Sequence, residues 1–192
     1  MQYSYILVLG VAFSTPLLFE LMVNENFKEV NAKMKMHDLT TTALLAVLIL
    51  LSGSMKIPSP VAGGEFQLSA PIAVLICALF GFKRYILAGV LASALGMMLG
   101  IHTIFSVIIQ MSFRVVTGAV MALGGTNLLT VIISGPLGTL FARIVMWQIT
   151  GVSWIALTAA AAPGMVFTAV GAGLMYRPAQ KLLHKVVLAK QN

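Results

Sequence analysis

Apolar runs separated by short polar breaks occupy most of this chain, and that alternation restricts its fold more than any motif does. Seven can be marked: Tyr3–Val23, Leu39–Met55, Leu68–Phe82, Tyr85–Leu99, Thr103–Leu123, Leu128–Trp147 and Ser153–Tyr176. A helix crossing a ~30 Å hydrocarbon core needs about 20 residues. The third and fourth runs are shorter than that. Reading them as one span would bury Lys83 and Arg84 at its middle, so a tight Gly81-Phe82-Lys83-Arg84 turn is placed between two short helices.

Of the 192 residues, 59% are hydrophobic and 9% charged, with a mean hydropathy of +1.00. Soluble domains carry about 25% charged residues, so a soluble globular fold is excluded. Disordered chains are polar or highly charged and are excluded as well. The single cysteine, Cys77, rules out a disulfide scaffold. The expected fold is an all-α integral membrane protein, a compact bundle of transmembrane helices.

The cations set the orientation. With the N-terminus outside, Lys28, Lys33, Lys35, Lys83, Arg84, Arg177, Lys181, Lys185 and Lys190 fall inside, and Lys56 alone falls outside. Cytoplasmic loops are the ones enriched in Lys and Arg. No Lys or Arg precedes the first run and no small-x-small cleavage site follows it, so Met1–Val23 reads as a retained helix. Asp38 is a candidate N-cap for the second run. The stretch Pro178–Ala189 sets Leu182, Leu183 and Val186 apart from Lys181 and Lys185. It is expected to lie on the anionic inner leaflet as a separate amphipathic helix. The net charge of +7 is therefore assigned to the membrane surface, and no nucleic-acid partner is expected.

Few residues carry chemistry. There is no GxxxxGK[ST] phosphate loop, so the chain has no ATPase of its own. His37, His102 and His184 show no ligand spacing, and no Ser/His/Asp or paired-carboxylate arrangement sits at membrane depth. No enzymatic activity, metal or other cofactor is expected. The informative groups are two arginines inside spans. Arg114 lies on the order of 16 Å into its helix, on one face with Thr103, Ser106, Gln110 and Thr117. A central arginine costs about 2.5–3.5 kcal/mol to insert, so it faces a cavity or the bundle interior. It either walls a substrate pocket or caps carbonyls of a broken helix. Arg143 shares a face with Gly135, Thr139 and Trp147 and either looks inward or snorkels to the headgroups. Trp147 belongs to an aromatic belt or lines the pocket mouth. The outer loop Lys56–Gln67 is stiffened by Pro58 and Pro60 and hinged at Gly63-Gly64, as a lid would be; a plain connector is the alternative. Small residues at four-residue spacing, Gly89 with Ser93 and Ala92 with Gly96 and Gly100, allow close helix approach.

The run from Asp38 to Tyr176 resembles the substrate-binding S components of energy-coupling factor (ECF) vitamin transporters. The resemblance lies in Thr42-Ala43-Leu44-Leu45-Ala46, the outer Pro/Gly loop, Pro71-Ile72-Ala73-Val74-Leu75, the basic turn after Phe80-Gly81-Phe82, and the small-residue helix ending at Gly100. It implies a six-helix substrate-binding core over residues 38–176, preceded by an extra helix and loop over residues 1–37 and followed by a basic tail over 177–192. It also implies a binding subunit of the bacterial cell membrane, energised by a coupling membrane subunit and two ATPase subunits. Arg114 would pair with a substrate carboxylate, Gln110, Glu65 and Gln67 would orient the substrate and close over it, and Arg143 and Trp147 would complete the site. The family's AxxxA docking contact would fall on Thr42 and Ala46. Biotin is the first substrate considered; niacin and pantothenate also carry a carboxylate. A non-transport membrane scaffold is the alternative.

This topology makes a direct prediction. A cysteine placed near Gly63 should react with an impermeant thiol reagent added outside intact cells, and one near Lys185 should not. The reverse pattern would invert the chain in the membrane.

Overall fold

A computed structural model describes residues 36–58 and 65–189. The expected first span and the Gly63-Gly64 hinge lie outside the described residues. Two units are distinguished, residues 1–41 and residues 42–192. Of the first, only the opening turns of one helix are described.

Among the described residues there are six helices and one small ribbon: α1 (Met36–Ser54), β1 (Lys56–Pro58), β2 (Glu65–Gln67), α2 (Ser69–Phe80), α3 (Phe82–Met98), α4 (Ile104–Gly124), α5 (Leu128–Thr150) and α6 (Trp154–Ala189). The strands pair antiparallel, with Lys56 opposite Gln67 and Pro58 opposite Glu65. Three stretches among the described residues are long and apolar enough to cross a membrane: all of α4, all of α5 and Trp154–Lys185 of α6. The expected helical membrane bundle is the fold observed.

The centre of the bundle is α2, whose Ala73, Val74, Leu75, Ile76 and Cys77 are all buried. It packs against α3, α4, α5 and α6. With 12 residues it extends about 18 Å, well short of a full span. The expected short helix Leu68–Phe82 is observed as Ser69–Phe80, and its place is the core, where it is apolar all round because protein surrounds it. The turn that follows is tighter than expected. Gly81 alone, at φ 84°, separates α2 from α3, and a positive φ of that kind is open to glycine without a steric penalty. Lys83 and Arg84 consequently belong to the first turn of α3. Asp38 also moves: α1 starts at Met36, so its carboxylate sits in the first helical turn and favours the helix dipole.

Outward-facing positions are apolar. Leu44, Leu51, Met98, Leu123, Leu129, Ile155, Val166 and Leu174 are all more than half exposed. So many exposed apolar side chains suit lipid and not water. The last helix departs most from expectation. No break occurs at Pro178; α6 runs unbroken for 36 residues through Pro163 and Pro178. The turn around Pro178 is clamped from both sides, since the Tyr176 hydroxyl donates to the Thr126 carbonyl and Gln180 Nε2 donates to that hydroxyl at 2.7 Å.

Glycines set how closely helices approach. A Cβ on Gly118 of α4 would overlap the Phe82 ring of α3, and one on Gly138 of α5 would come within 2.5 Å of Thr117 Oγ1. We expect Gly118→Val to lower the thermal stability of the detergent-purified protein by about 1–3 kcal/mol through overpacking. Adding Phe82→Ala should restore part of that loss, so the double variant should be more stable than the sum of the two single effects allows. Strict additivity in thermal unfolding would mean that the two positions do not touch.

Candidate functional site

The site is built on α4, and its polar row divides by depth. At the helix start Thr103 is the N-cap, its hydroxyl accepting from the Ser106 N–H at 3.3 Å. Further along, Thr117 is buried and donates to the Ser134 carbonyl at 3.3 Å, which fastens α4 to α5. Between them Ser106, Gln110 and Arg114 face a cavity of about 390 Å³, within the range usual for small-molecule sites.

Arg114 is only 3% exposed. Its Nη1 donates to Ser93 Oγ at 2.8 Å, and its Nη2 donates to Gln110 Oε1 at 3.2 Å. Ser93 in turn donates to Gln110 Oε1 at 3.2 Å, so the three side chains close a ring across α3 and α4. The guanidinium lies against Gly89, where a Cβ would stand 2.5 Å from Cδ and Nε. The Gly89–Ser93 row therefore receives a side chain from the neighbouring helix: glycine gives it room and serine gives it an acceptor. All of these acceptors are neutral. They orient the guanidinium and leave its charge unbalanced, a costly state for a buried cation unless an anion arrives.

Arg143 of α5 lines the same cavity, together with Thr139. Its Nε is buried and has no hydrogen-bond partner. Of its two sequence readings, the inward one describes its position. Trp147 is not among the cavity walls and is 38% exposed. One turn beyond Arg143, it faces outward, where an indole suits the lipid interface. Glu65 and Gln67 are placed by their backbones on β2, which lies beside α6; their side chains lie outside the described residues.

Thr42 and Ala46 are each 2% exposed. They face the interior with Leu45 and Ile49, so they form no open docking face. The surface of α1 left uncovered carries Leu44, Leu48 and Leu51. The sequence offered Thr42 and Ala46 as a small pair, but it could not tell an inward pair from an outward one on a helix apolar on both sides.

His102 is the site residue that sequence reasoning missed. Gly100, at φ 71°, reverses the chain after α3. The backbone N–H groups of Ile101 and His102 then both donate to the Gly96 carbonyl, at 2.8 and 3.0 Å. This folds the imidazole over Gly96, where any side chain would collide with it, and His102 joins the cavity wall. The available signal was the Gly96-x-x-x-Gly100-x-His102 spacing, which reads as helix packing until the turn is seen.

No family model matches this chain, and no solved structure matches it. Protein BioX of Lysinibacillus sphaericus is 45% identical to it over 154 residues, a stretch covering 80% of this chain and 90% of that protein.

The loop position of His102 has a pH consequence. Burial, and then the positive charge of Arg114, push its pKa below the ordinary imidazole value, against a smaller opposing effect of the Ile101 backbone. A histidine lowered in the folded state contributes stability above its unfolded pKa of about 6.5, and loses it as pH falls through the folded value. Thermal unfolding of the purified protein should therefore show a melting temperature that drops below about pH 6.5. His102→Gln should flatten that part of the profile; an unchanged slope would assign it to other groups.

Proposed function

The chain belongs to the family of Protein BioX, and on that premise we propose that it is a membrane-embedded binding subunit for the uptake of a small, carboxylate-bearing, vitamin-like solute. The observation that carries this reading is Arg114, a buried guanidinium lining a cavity of about 390 Å³ and held by neutral acceptors. Such a group is pre-organised for an anion. Its rotamer is fixed before the ligand arrives, so little side-chain entropy is lost on binding. Its charge acts in a medium that screens it weakly.

The solute enters from the outer face, at the end of the bundle where His102 closes the α3–α4 loop. Its acid group settles on Arg114, with Gln110 and Ser93 holding the fork in plane. Ser106 and Thr139 offer hydroxyls to other polar atoms of the solute, and Phe113 and Phe167 cover its apolar part. Glu65 and Gln67, on the ribbon, orient the solute and close the site. Biotin is the first solute to test, because its single carboxylate suits Arg114. The chain resides in the bacterial cell membrane and draws energy from separate subunits, a coupling membrane protein and two ATPases, as ECF S components do.

Mass spectrometry of small molecules co-purifying with the detergent-solubilised protein tests the class of solute without prior choice. Calorimetry on monodisperse variants tests the residue. Hydrogen bonds to charged groups contribute about 1.5–3 kcal/mol, so Arg114→Ala should weaken binding roughly tenfold to 150-fold. Arg114→Lys keeps the charge, loses the planar fork and should recover part of the affinity. Wild-type affinity in well-folded Arg114→Ala would remove this residue from the site.

A further inference from the structure

The cavity holds two cations, and helices α2 to α6, which carry both of them and most of its walls, supply no anion. Arg114 and Arg143 both line it, and no Asp or Glu occurs in the sequence after Glu65. Helices α2 to α6 therefore bring no negative charge to either arginine. Arg114 meets neutral acceptors, and Arg143 Nε meets none. One acid group bound at Arg114 would leave Arg143 without a partner from these helices in the same weakly screened space.

The backbones of the two arginines stand at different levels of the bundle. Thr117 sits beside Ser134, and Gly138 beside Phe113, which fixes the register of antiparallel α4 and α5. Continuing that register sets Arg143 level with Ile108, six residues or roughly 9 Å along the axis from the level of Arg114. Ser93 and Gly89 hold the Arg114 guanidinium against α3. The walls shared with them include Ile109, Phe113 and Phe167, which are apolar.

Resting on the reading of this cavity as the solute site, we propose that the solute carries two separate acid groups joined by an apolar chain, an aliphatic dicarboxylate. Arg114 takes the inner carboxylate and Arg143 the outer one, and the chain between them lies on the Ile109, Phe113 and Phe167 walls. A compact anion such as phosphate would leave the apolar walls at Ile109, Phe113 and Phe167 uncovered.

Calorimetry on the full-length purified protein tests this with straight-chain dicarboxylates of stepped length, the monocarboxylate of equal carbon number for each, and a simple phosphomonoester. One chain length should be preferred, and that dicarboxylate should bind at least about tenfold more tightly than its monocarboxylate. In Arg143→Ala the ratio between the two should fall towards one, with Arg143→Lys in between. The ratio is unaffected by a general loss of folded protein, and the length series needs no variant at all. Equal affinities in the wild type, a preference that survives Arg143→Ala, or a phosphomonoester binding better than every dicarboxylate would overturn the proposal. If monocarboxylates bind through Arg114 with no gain from the second acid, only this inference fails. If no carboxylate binds, the reading of the cavity as a carboxylate site fails with it.

Discussion

A guanidinium buried among neutral acceptors organises this bundle. Arg114 cannot be withdrawn to water from its depth in α4, so the neighbouring helix has to accommodate it. That requirement explains why α3 carries Gly89 and Ser93 on one face, and why Gln110 stands one turn before the arginine on its own helix. Space, acceptor and alignment come from three different residues. Losing any one would either displace the charge or leave part of it unbonded, and both cost far more in a low-dielectric interior than at a surface.

The same economy of small residues recurs through the structure. Gly96 receives His102, Gly118 receives Phe82, Gly135 receives Thr168 and Gly138 receives Thr117. In lipid the hydrophobic effect gives helices little reason to associate, so close packing and buried hydrogen bonds do more of that work. Each of these glycines lets one larger side chain reach across an interface. The cavity lies along the N-terminal half of α4, and the remainder packs around α2.

Much of this was legible in the sequence, for reasons that can be named. The membrane bundle followed from apolar length, and α1, α4 and α5 fell within a few residues of their expected bounds, because long apolar runs between charged breaks have one stable solution in a bilayer. Arg114 and Gln110 were legible because a charge and an amide on one face of a greasy helix need a shared reason. What was hidden depended on tertiary partners. The inward turn of Thr42 and Ala46 and the outward turn of Trp147 are decided by neighbours, since apolar residues surround each of them in the sequence. The core role of α2 was hidden because a short apolar run reads alike as a truncated span and as a buried helix. The amphipathic pattern of Pro178–Ala189 suggested a separate interfacial helix. The Tyr176 and Gln180 contacts that hold the turn could not be read from spacing.

The continuity of α6 has a mechanical consequence. At 36 residues it is about 54 Å long, while the hydrocarbon core is about 30 Å thick. Something like half of its length therefore stands clear of the lipid tails as a stiff rod continuous with the bundle. Arg177, Lys181 and Lys185 ride on that rod at fixed heights and angles, where a hinged amphipathic segment would let them settle on the headgroups. Any tilt of α6 against α5 at the depth of the cavity would be magnified at the far end, as a short movement at a fulcrum becomes a long one at the tip.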